Sequence, residues 1–214
     1  MRVGLIGTGA IAEKHAQAYK NLGFELVACT NRNAEAGRRF AARHDAEFVS
    51  TVEDLCRHSR IDFVDACTLP ELRLPIVEAC ARFGKHVQVQ KPIATDLPTA
   101  RKMIEIAKKG SILLGVVSQH RFDDASIFLA EAIGAGRLGR LLQCDCYVKW
   151  YRPPEYYARL GKGTWKSEGG GALINQRIHQ LDLLRWFAGP VKKVFGVWQL
   201  GSGTRSKRKI ASVR

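Results

Sequence analysis

Residues 2–12 read RVGLIGTGAIA. The apolar run RVGLI leads directly into Gly7 and Gly9, and Ala12 completes a GxGxxA spacing where a helical pattern begins. Between a strand and a helix, this spacing is typical of dinucleotide-binding turns. The first glycine permits a tight turn, the second lets the backbone approach a pyrophosphate, and the third small residue allows close helix packing. The helix N-terminus then faces the phosphates. We therefore predict an NAD or NADP site here, with a purely structural turn as the alternative.

The first half of the chain alternates short apolar runs with helical patterns, which favours a parallel sheet covered by helices on both faces. The runs predicted as strands are residues 2–6, 24–29, 46–49, 62–67, 86–90 and 112–117. We expect an α/β fold whose residues 1–119 form a doubly wound, Rossmann-type parallel sheet. Ligands of such sheets lie beyond the carboxyl ends of the strands, so the site is expected in the loops after the first, second, fourth and fifth strands.

From about residue 120 the pattern changes. A helix over 123–136, a strand over 141–151, a helix over 172–189 and a last strand over 192–200 predict a second, incomplete α/β domain over residues 120–200 for substrate binding or oligomerisation. Residues 201–214 are rich in glycine, serine and basic residues and show no hydrophobic period. We expect them to form a disordered basic tail.

The composition of the 214 residues is that of an ordinary globular protein, with 46% hydrophobic residues and a formal net charge of +14. No apolar run approaches the roughly 20 residues that span a bilayer, and the N-terminus lacks the pattern of a signal peptide. A cytoplasmic protein with no membrane partner is therefore expected. The basic residues crowd the last segment and elsewhere alternate with acids, and no nucleic-acid-binding module is recognisable. Nucleic acid is therefore not the expected partner, although a nucleic-acid binder is kept as an alternative.

The six cysteines include no CxxC pair, and most lie among apolar neighbours. Reduced cysteine in such surroundings packs as a small hydrophobic residue. Cys144 and Cys146 would share one face of the predicted strand over 141–151, but no nearby histidine or cysteine completes a tetrahedral zinc site. We therefore expect core packing and no metal.

The position that usually carries an acid for the ribose hydroxyls is occupied by Asn31, and Arg32 follows it. A carboxylate there would repel a 2′-phosphate, whereas a neutral asparagine does not and an arginine can pair with it. This favours NADP or use of both cofactors. The alternative is that Arg32 stacks on the adenine or lies in solvent.

Two further motifs carry a resemblance to a known family. Residues 84–94 read GKHVQVQKPIA at a predicted strand end, and residues 169–189 read GGGALINQRIHQLDLLRWFAG. Together with the glycine turn, they resemble the Gfo/Idh/MocA oxidoreductases, whose members combine a Rossmann domain with a strand-end EKP motif and a GGGAL segment before a helix with a DxGxH or NQxxH pattern. The resemblance extends from Arg2 to about Leu200. The segments WYRPPEYY and GGGALINQ are similar to those of members that act on sugars and nucleotide sugars.

The resemblance implies an NAD(P)-dependent oxidoreductase that transfers a hydride between the cofactor and a hydroxyl-bearing carbon of a sugar or sugar derivative. Lys91 matches the lysine near nicotinamide and substrate, His179 matches the histidine that exchanges a proton with the substrate hydroxyl, and Asn175 occupies a position often held by aspartate. A carbinol that loses hydride must also lose its hydroxyl proton, which histidine or lysine can accept. The residues expected to bind the cofactor are Gly7, Gly9, Ala10, Ile11, Ala12, Asn31, Arg32, Thr68, Gln90 and Lys91.

The chain departs from the family pattern close to this site. Gln90 replaces the glutamate of EKP, Arg73 ends an altered TPxxxH stretch, and Arg177 stands where a small residue is common. Arg177 would either obstruct the pocket or bind an anionic substrate. Family members also continue through a multistranded sheet that commonly forms the oligomer face, so this chain looks C-terminally truncated. A homo-oligomer is expected only if the second domain is sufficiently intact, and a non-catalytic remnant that still binds the dinucleotide is the alternative function.

Overall fold

The computed structural model describes residues 1–158, 162–164, 167, 169, 171–200 and 211–213. The chain divides into two compact units, Met1–Val117 and Ser118–Arg214. The division falls close to the expected domain boundary at residue 119. Among the described residues, every helix is too short or too polar to cross a membrane.

The first unit contains a six-stranded parallel sheet of order β3-β2-β1-β4-β5-β6. Its strands are β1 (Arg2–Ile6), β2 (Glu25–Thr30), β3 (Glu47–Phe48), β4 (Phe63–Ala66), β5 (His86–Val89) and β6 (Leu114–Val116). The chain moves outward in one direction from β1 to β3 and then crosses back to β4 on the other side of β1. This reversal is the switch point of a doubly wound sheet. The predicted fold class of this unit is therefore confirmed.

Five helices connect these strands: α1 (Ala10–Asn21), α2 (Ala34–Arg43), α3 (Val52–Arg57), α4 (Arg73–Arg82) and α5 (Leu97–Lys109). Three of them begin at a side chain that accepts a hydrogen bond from a free backbone N–H of the first turn. Asn33 accepts from Ala36, Thr51 from Asp54 and Asp96 from Thr99, at 2.8 to 3.0 Å. Because capping fixes where a helix starts, these short polar residues set the lengths of the loops above the sheet.

The two faces of the sheet bury separate hydrophobic clusters. Val3, Leu5 and Cys29 pack with Phe40 on one face, and Ile6 belongs to the cluster on the other face. Successive side chains of β1 therefore alternate between the faces, as strand geometry requires. Cys29, Cys56 and Cys80 are all buried, which confirms core packing for these three, whereas Cys144 and Cys146 are exposed.

The described residues of the second unit include four α-helices. These are α6 (Asp124–Gly134), α7 (Pro154–Ala158), α8 (Gly171–Asn175) and α9 (Ile178–Ala188). The long helix predicted over 172–189 is divided between α8 and α9, with Gln176 and Arg177 at the break. The division matters for the site because it places Asn175 at the end of one helix and His179 in the first turn of the next.

The strand predicted over residues 141–151 is wrong, since these residues have no regular secondary structure. A strand is held by hydrogen bonds to a neighbouring strand, and none of the described strands pairs with this segment. The strand predicted over 192–200 is reduced to β7 (Trp198–Leu200), which pairs antiparallel with β8 (Ala211–Val213). Of the tail predicted to be disordered, the structure describes only Ala211–Val213 as β8, and residues 201–210 and 214 lie outside the described part of the chain.

Candidate dinucleotide and proton-transfer site

Gly7 is required by the fold of the turn after β1. Its φ of +86° lies in the left-handed region, and its N–H donates to the carbonyl oxygen of Thr30 at 2.9 Å. A Cβ atom at Gly7 would lie 2.8 Å from the carbonyl oxygen of Cys67. Both the backbone conformation and the neighbouring strand end therefore exclude a side chain here.

Gly9 has a different reason to be glycine. Its backbone is extended, with φ −84° and ψ −175°, and it caps the N-terminus of α1. A Cβ atom at Gly9 would meet nothing within 4 Å. The protein's own packing therefore leaves room for a side chain, and the open space above Gly9 is available to a ligand. In the first turn of α1, Ala10 and Ile11 are exposed, while Ala12 is fully buried and packs in the core, as its predicted role in close helix packing requires.

A cavity of about 640 Å³ opens beside this turn, at the carboxyl ends of β1, β2, β3 and β4. Of the predicted cofactor-binding residues, it brings together Gly7, Gly9, Asn31, Arg32 and Thr68. The other lining residues are Ile6, Thr8, Thr30, Ala34, Phe48, Ser50, Val52, Glu53, Cys67, Leu69, Leu72, Pro75 and Ile76. The other five predicted residues do not line it: Ala10, Ile11, Ala12, Gln90 and Lys91.

Two threonine hydroxyls make this cavity suitable for a polar ligand. The Oγ1 atoms of Thr8 and Thr68 are buried and have no hydrogen-bond partner among the described residues. A buried hydroxyl without a partner is costly, so such groups usually serve a bound molecule or an ordered water. Together with the open space at Gly9, they suit a phosphate-bearing ligand. Thr68 was predicted from the loop after the fourth strand, whereas Thr8 was missed, although its place between the two glycines was a usable signal.

The cavity also contains an acid that the sequence analysis missed. Glu53, in the first turn of α3, lines the cavity together with Asn31 and Arg32. Glu53 and Arg32 are both exposed and carry opposite charges at this end of the cavity. A carboxylate repels a 2′-phosphate and accepts hydrogen bonds from ribose hydroxyls, so Glu53 acts against the preference inferred from Arg32. Glu53 follows β3, whose loop was not among those expected to form the site.

The loop after β5 carries Lys91 and is held by a buried arginine. Arg73, only 2% exposed, donates hydrogen bonds to the carbonyl oxygens of Gln90 and Pro92, and to that of Thr68 at 2.5 Å. Burial lowers the pKa of the Arg73 guanidinium to about 10. Because its donors match three main-chain acceptors, Arg73 joins the loop after β4 to both sides of Lys91.

A buried polar network lies beside this loop. The Oδ2 atom of Asp65, on β4, lies 2.6 Å from Nδ1 of His15 and accepts from the Tyr19 hydroxyl at 2.6 Å. Nε2 of His15 lies 2.7 Å from the side-chain nitrogen of Gln90. Burial and the nearby Asp65 raise the pKa values of Tyr19 and of the Cys67 thiol, so both stay protonated at neutral pH. His15, Asp65 and Cys67 each have one atom that could ligate a metal ion, and these three atoms lie within 4.8 Å of one another. Hydrogen bonds already join them.

The second unit contains the other predicted catalytic residues. His179 is 8% exposed, and its ring meets that of His120 edge to face, with the centroids 4.8 Å apart. Nδ1 of His120 lies 2.6 Å from Oδ2 of Asp123. One turn along α9, Asp182 accepts two hydrogen bonds of 2.7 Å from Arg121, which lower the pKa of its carboxyl group. His179 therefore lies on a helix that is fixed to the segment 119–122 by a bidentate ion pair.

Asn175 lies in a group of aromatic and basic side chains. Its Nδ2 donates to the hydroxyl of Tyr156 at 3.4 Å. The guanidinium of Arg152 lies 5.3 Å from the centre of the Tyr156 ring and donates to Oε1 of Gln176 at 2.9 Å. Arg177 is half-buried and lines a separate cavity of about 520 Å³ within this unit. The predicted catalytic residues thus divide between the units, with Lys91 in the first and Asn175 and His179 in the second.

The sheet, the glycine turn and the cavity define a Rossmann-type nucleotide-binding protein. Residues 1–118 match the model of an oxidoreductase family with an NAD-binding Rossmann fold, and residues 127–208 match the GFO/IDH/MocA C-terminal domain. The chain belongs to the Gfo/Idh/MocA oxidoreductase family, which confirms the resemblance found in the sequence.

Several curated proteins and solved structures are similar to this chain. A 1,5-anhydro-D-fructose reductase from Ensifer adhaerens is 31% identical over 86% of this chain and 56% of its own. An inositol 2-dehydrogenase from Rubrobacter xylanophilus is 28% identical over 86% of this chain and 51% of its own. The WlbA dehydrogenase from Bordetella pertussis, solved with NADH and UDP-GlcNAcA, is 31% identical with a TM-score of 0.86, and the match covers all of this chain and 63% of that one. The chain thus spans little more than half the length of the curated relatives it matches.

Proposed function

We propose that this chain binds NAD or NADP and transfers a hydride between the nicotinamide and a hydroxyl-bearing carbon of a sugar or sugar derivative. The observation that carries the proposal is the cavity at Gly9. It combines open space above a helix N-terminus with two buried hydroxyls that lack partners among the described residues. Family membership supports the nicotinamide cofactor, and the reductase and dehydrogenases among the relatives support a sugar-type substrate.

In this proposal the first unit holds the dinucleotide. The backbone N–H groups at the start of α1 and the hydroxyls of Thr8 and Thr68 donate hydrogen bonds to the phosphates, and the missing side chain of Gly9 allows the close approach. Arg32 and Glu53 meet the adenosine ribose. Arg32 favours a 2′-phosphate and Glu53 favours free hydroxyls, so we propose that both cofactors are used. From Asn31 and Arg32 we further propose that NADP binds at least as well as NAD.

The residues proposed to act on the substrate hydroxyl are Lys91 and His179. When bound, the nicotinamide accepts or supplies the hydride, and the protein must move the matching proton of the substrate hydroxyl. In the proposed oxidation, His179 takes this proton, and the Lys91 ammonium stabilises the developing alkoxide. Asn175 contributes a neutral amide that can hydrogen-bond a substrate hydroxyl without adding charge.

We propose a sugar acid carried on a nucleotide as the substrate. The Bordetella relative was solved with UDP-GlcNAcA, and the second unit of this chain contains cations suited to such an anion. The Nε atom of Arg152 is buried and has no partner among the described residues. Guanidinium groups pair with phosphate and carboxylate through several hydrogen bonds, so Arg152 and Arg177 are suited to bind the anionic groups.

The test combines a binding and a turnover measurement. NADH and NADPH are titrated by nicotinamide fluorescence, and NAD and NADP are then assayed with UDP-GlcNAcA, inositol and unmodified sugars. Dinucleotide binding with turnover of the nucleotide sugar supports the full proposal. Binding without turnover on any substrate identifies a non-catalytic remnant. Absence of dinucleotide binding, together with nucleic-acid binding that weakens steeply with salt, would refute the proposal in favour of a nucleic-acid binder.

A further inference from the structure

The network around Asp65 links the helix of the glycine turn to the loop of Lys91. His15 lies on α1, five residues after its start, and Asp65 lies on β4 with no exposed surface. The imidazole bridges the carboxylate and the side chain of Gln90, with its two nitrogens 2.6 and 2.7 Å from their partners. Because Gln90 immediately precedes Lys91, these contacts run from the cofactor helix to the base of the proposed catalytic loop.

The hydrogen bonds select one tautomer of His15. An ionised carboxylate only accepts hydrogen bonds, so Nδ1 must carry a proton towards Asp65. The amide nitrogen of Gln90 only donates, so Nε2 must present its lone pair to Gln90. Both conditions are met by a neutral imidazole with its proton on Nδ1. The opposite tautomer would place a lone pair against the carboxylate and two N–H donors against each other.

The side chain of Gln90 completes the attachment of the loop. Arg73 already holds the backbone carbonyls of Gln90 and Pro92 on either side of Lys91. The hydrogen bond from the Gln90 amide to His15 adds a contact from a different direction. Two attachments from different elements fix both the position and the rotation of the short segment from which Lys91 extends.

We propose that His15 and Asp65 are positioning residues for the Lys91 loop: Asp65 fixes the Nδ1–H tautomer of His15, and His15 holds Gln90 and thereby Lys91. The proposal rests on the proposed function, in which Lys91 acts on the substrate hydroxyl beside the bound nicotinamide. It also gives a reason for Gln90. A glutamate at this position would place a second carboxylate on the imidazole and require a doubly protonated, cationic His15, whereas glutamine matches a neutral one.

The tautomer is tested by long-range proton–nitrogen correlation NMR of the histidine rings at neutral pH. The His15 signals are assigned by their loss in His15→Asn. The expected result is a neutral ring protonated on Nδ1, which becomes doubly protonated in Gln90→Glu and loses its Nδ1–H preference in Asp65→Asn. A wild-type His15 protonated on Nε2, or on both nitrogens, overturns the proposal.

Positioning is tested by comparing the affinities for NADH and for ADP-ribose, which lacks the nicotinamide. Gln90→Met and His15→Asn should weaken NADH binding about fivefold, the scale of one lost hydrogen bond, and leave ADP-ribose unchanged. A merely structural role would weaken both ligands equally, because α1 also carries the phosphate turn. Tyr19→Phe is the matched control, since it removes a different hydrogen bond to Asp65 Oδ2 and should leave the affinity ratio unchanged.

The outcomes separate this proposal from the proposed function. An unchanged ratio in both variants means that the contact positions nothing and overturns the inference. If the wild type binds NADH no better than ADP-ribose, the loop contributes nothing to binding of the nicotinamide, and this inference fails whether or not a substrate turns over. If the ratio changes as expected but no substrate turns over, positioning stands and the catalytic proposal fails. Gln90→Met, which preserves side-chain length, decides the matter if His15→Asn does not fold.

Discussion

Separate substitutions of Gly9 and Gly7 should distinguish an effect on cofactor binding from an effect on stability. At Gly9, the extended backbone suits a β-branched residue, and a new Cβ meets nothing within 4 Å. Gly9→Val should therefore cost only the poorer helix cap, about 1 kcal/mol or less. For a chain of this length, that lowers the melting temperature by no more than about 4 °C. The valine side chain would nevertheless fill the space where a pyrophosphate must approach, and NADH affinity should fall by at least about 100-fold, or ~2.7 kcal/mol.

Gly7→Ala is the matched control because it should reduce stability more than Gly9→Val does. The left-handed φ of +86° costs an alanine about 1–2 kcal/mol, and its Cβ would lie 2.8 Å from a backbone oxygen that must move. The melting temperature should fall by more than about 4 °C. Thermal unfolding and nicotinamide fluorescence are measured on both variants. If Gly9→Val melts normally and binds NADH within threefold of wild type, the pyrophosphate does not approach Gly9, and the assigned binding mode is refuted.

Three further predictions concern other parts of the molecule. His179→Ala should leave NADH affinity unchanged and lower turnover about 100-fold, the usual scale for losing a general base. If this variant keeps full turnover, His179 is a structural residue and not the general base. Arg32→Ala should weaken NADPH but not NADH, and Glu53→Gln should strengthen NADPH, in fluorescence titrations; equal effects on both cofactors would contradict their placement at the ribose. The ion pair with Arg121 lowers the pKa of Asp182, so its stabilisation is present above the unfolded pKa of about 3.9 and is lost as pH falls through the lower folded value. Arg121→Met should therefore flatten the dependence of unfolding free energy on pH below about 4, measured by urea denaturation, and an unchanged slope would refute this.

The first unit could be predicted almost completely because its signals are local. The inner strands β1, β2 and β4 are largely buried and read as short apolar runs. Capping residues such as Asn33 and Thr51 mark where helices begin. Residues 141–151 show the limit of this reasoning. Their apolar alternation is a real strand signal, but a strand also needs a partner, and pairing depends on chain segments that local periodicity does not describe.

The candidate site was predictable where residues follow one another in a motif. Gly7, Gly9 and Thr68 were found in this way, and the structure places them around one cavity. Glu53 was missed because it reaches the cavity only through the packing of α3 after the short strand β3. In the proposed function, its negative charge opposes the preference for NADP that Arg32 favours.

The departures at Gln90 and Arg73 show why substitutions near a motif cannot be judged separately. From sequence alone, each removes a residue typical of the family close to the proposed catalytic lysine. In the structure, Arg73 donates to the carbonyl on each side of Lys91, while the Gln90 amide nitrogen lies 2.7 Å from Nε2 of His15. The negative charge that a glutamate would bring to His15 is already supplied by Asp65 from the opposite side of the ring. Arg73 and Gln90 therefore belong to one set of hydrogen bonds that holds the Lys91 loop. Replacing either one alone by the residue typical of the family should disturb that loop.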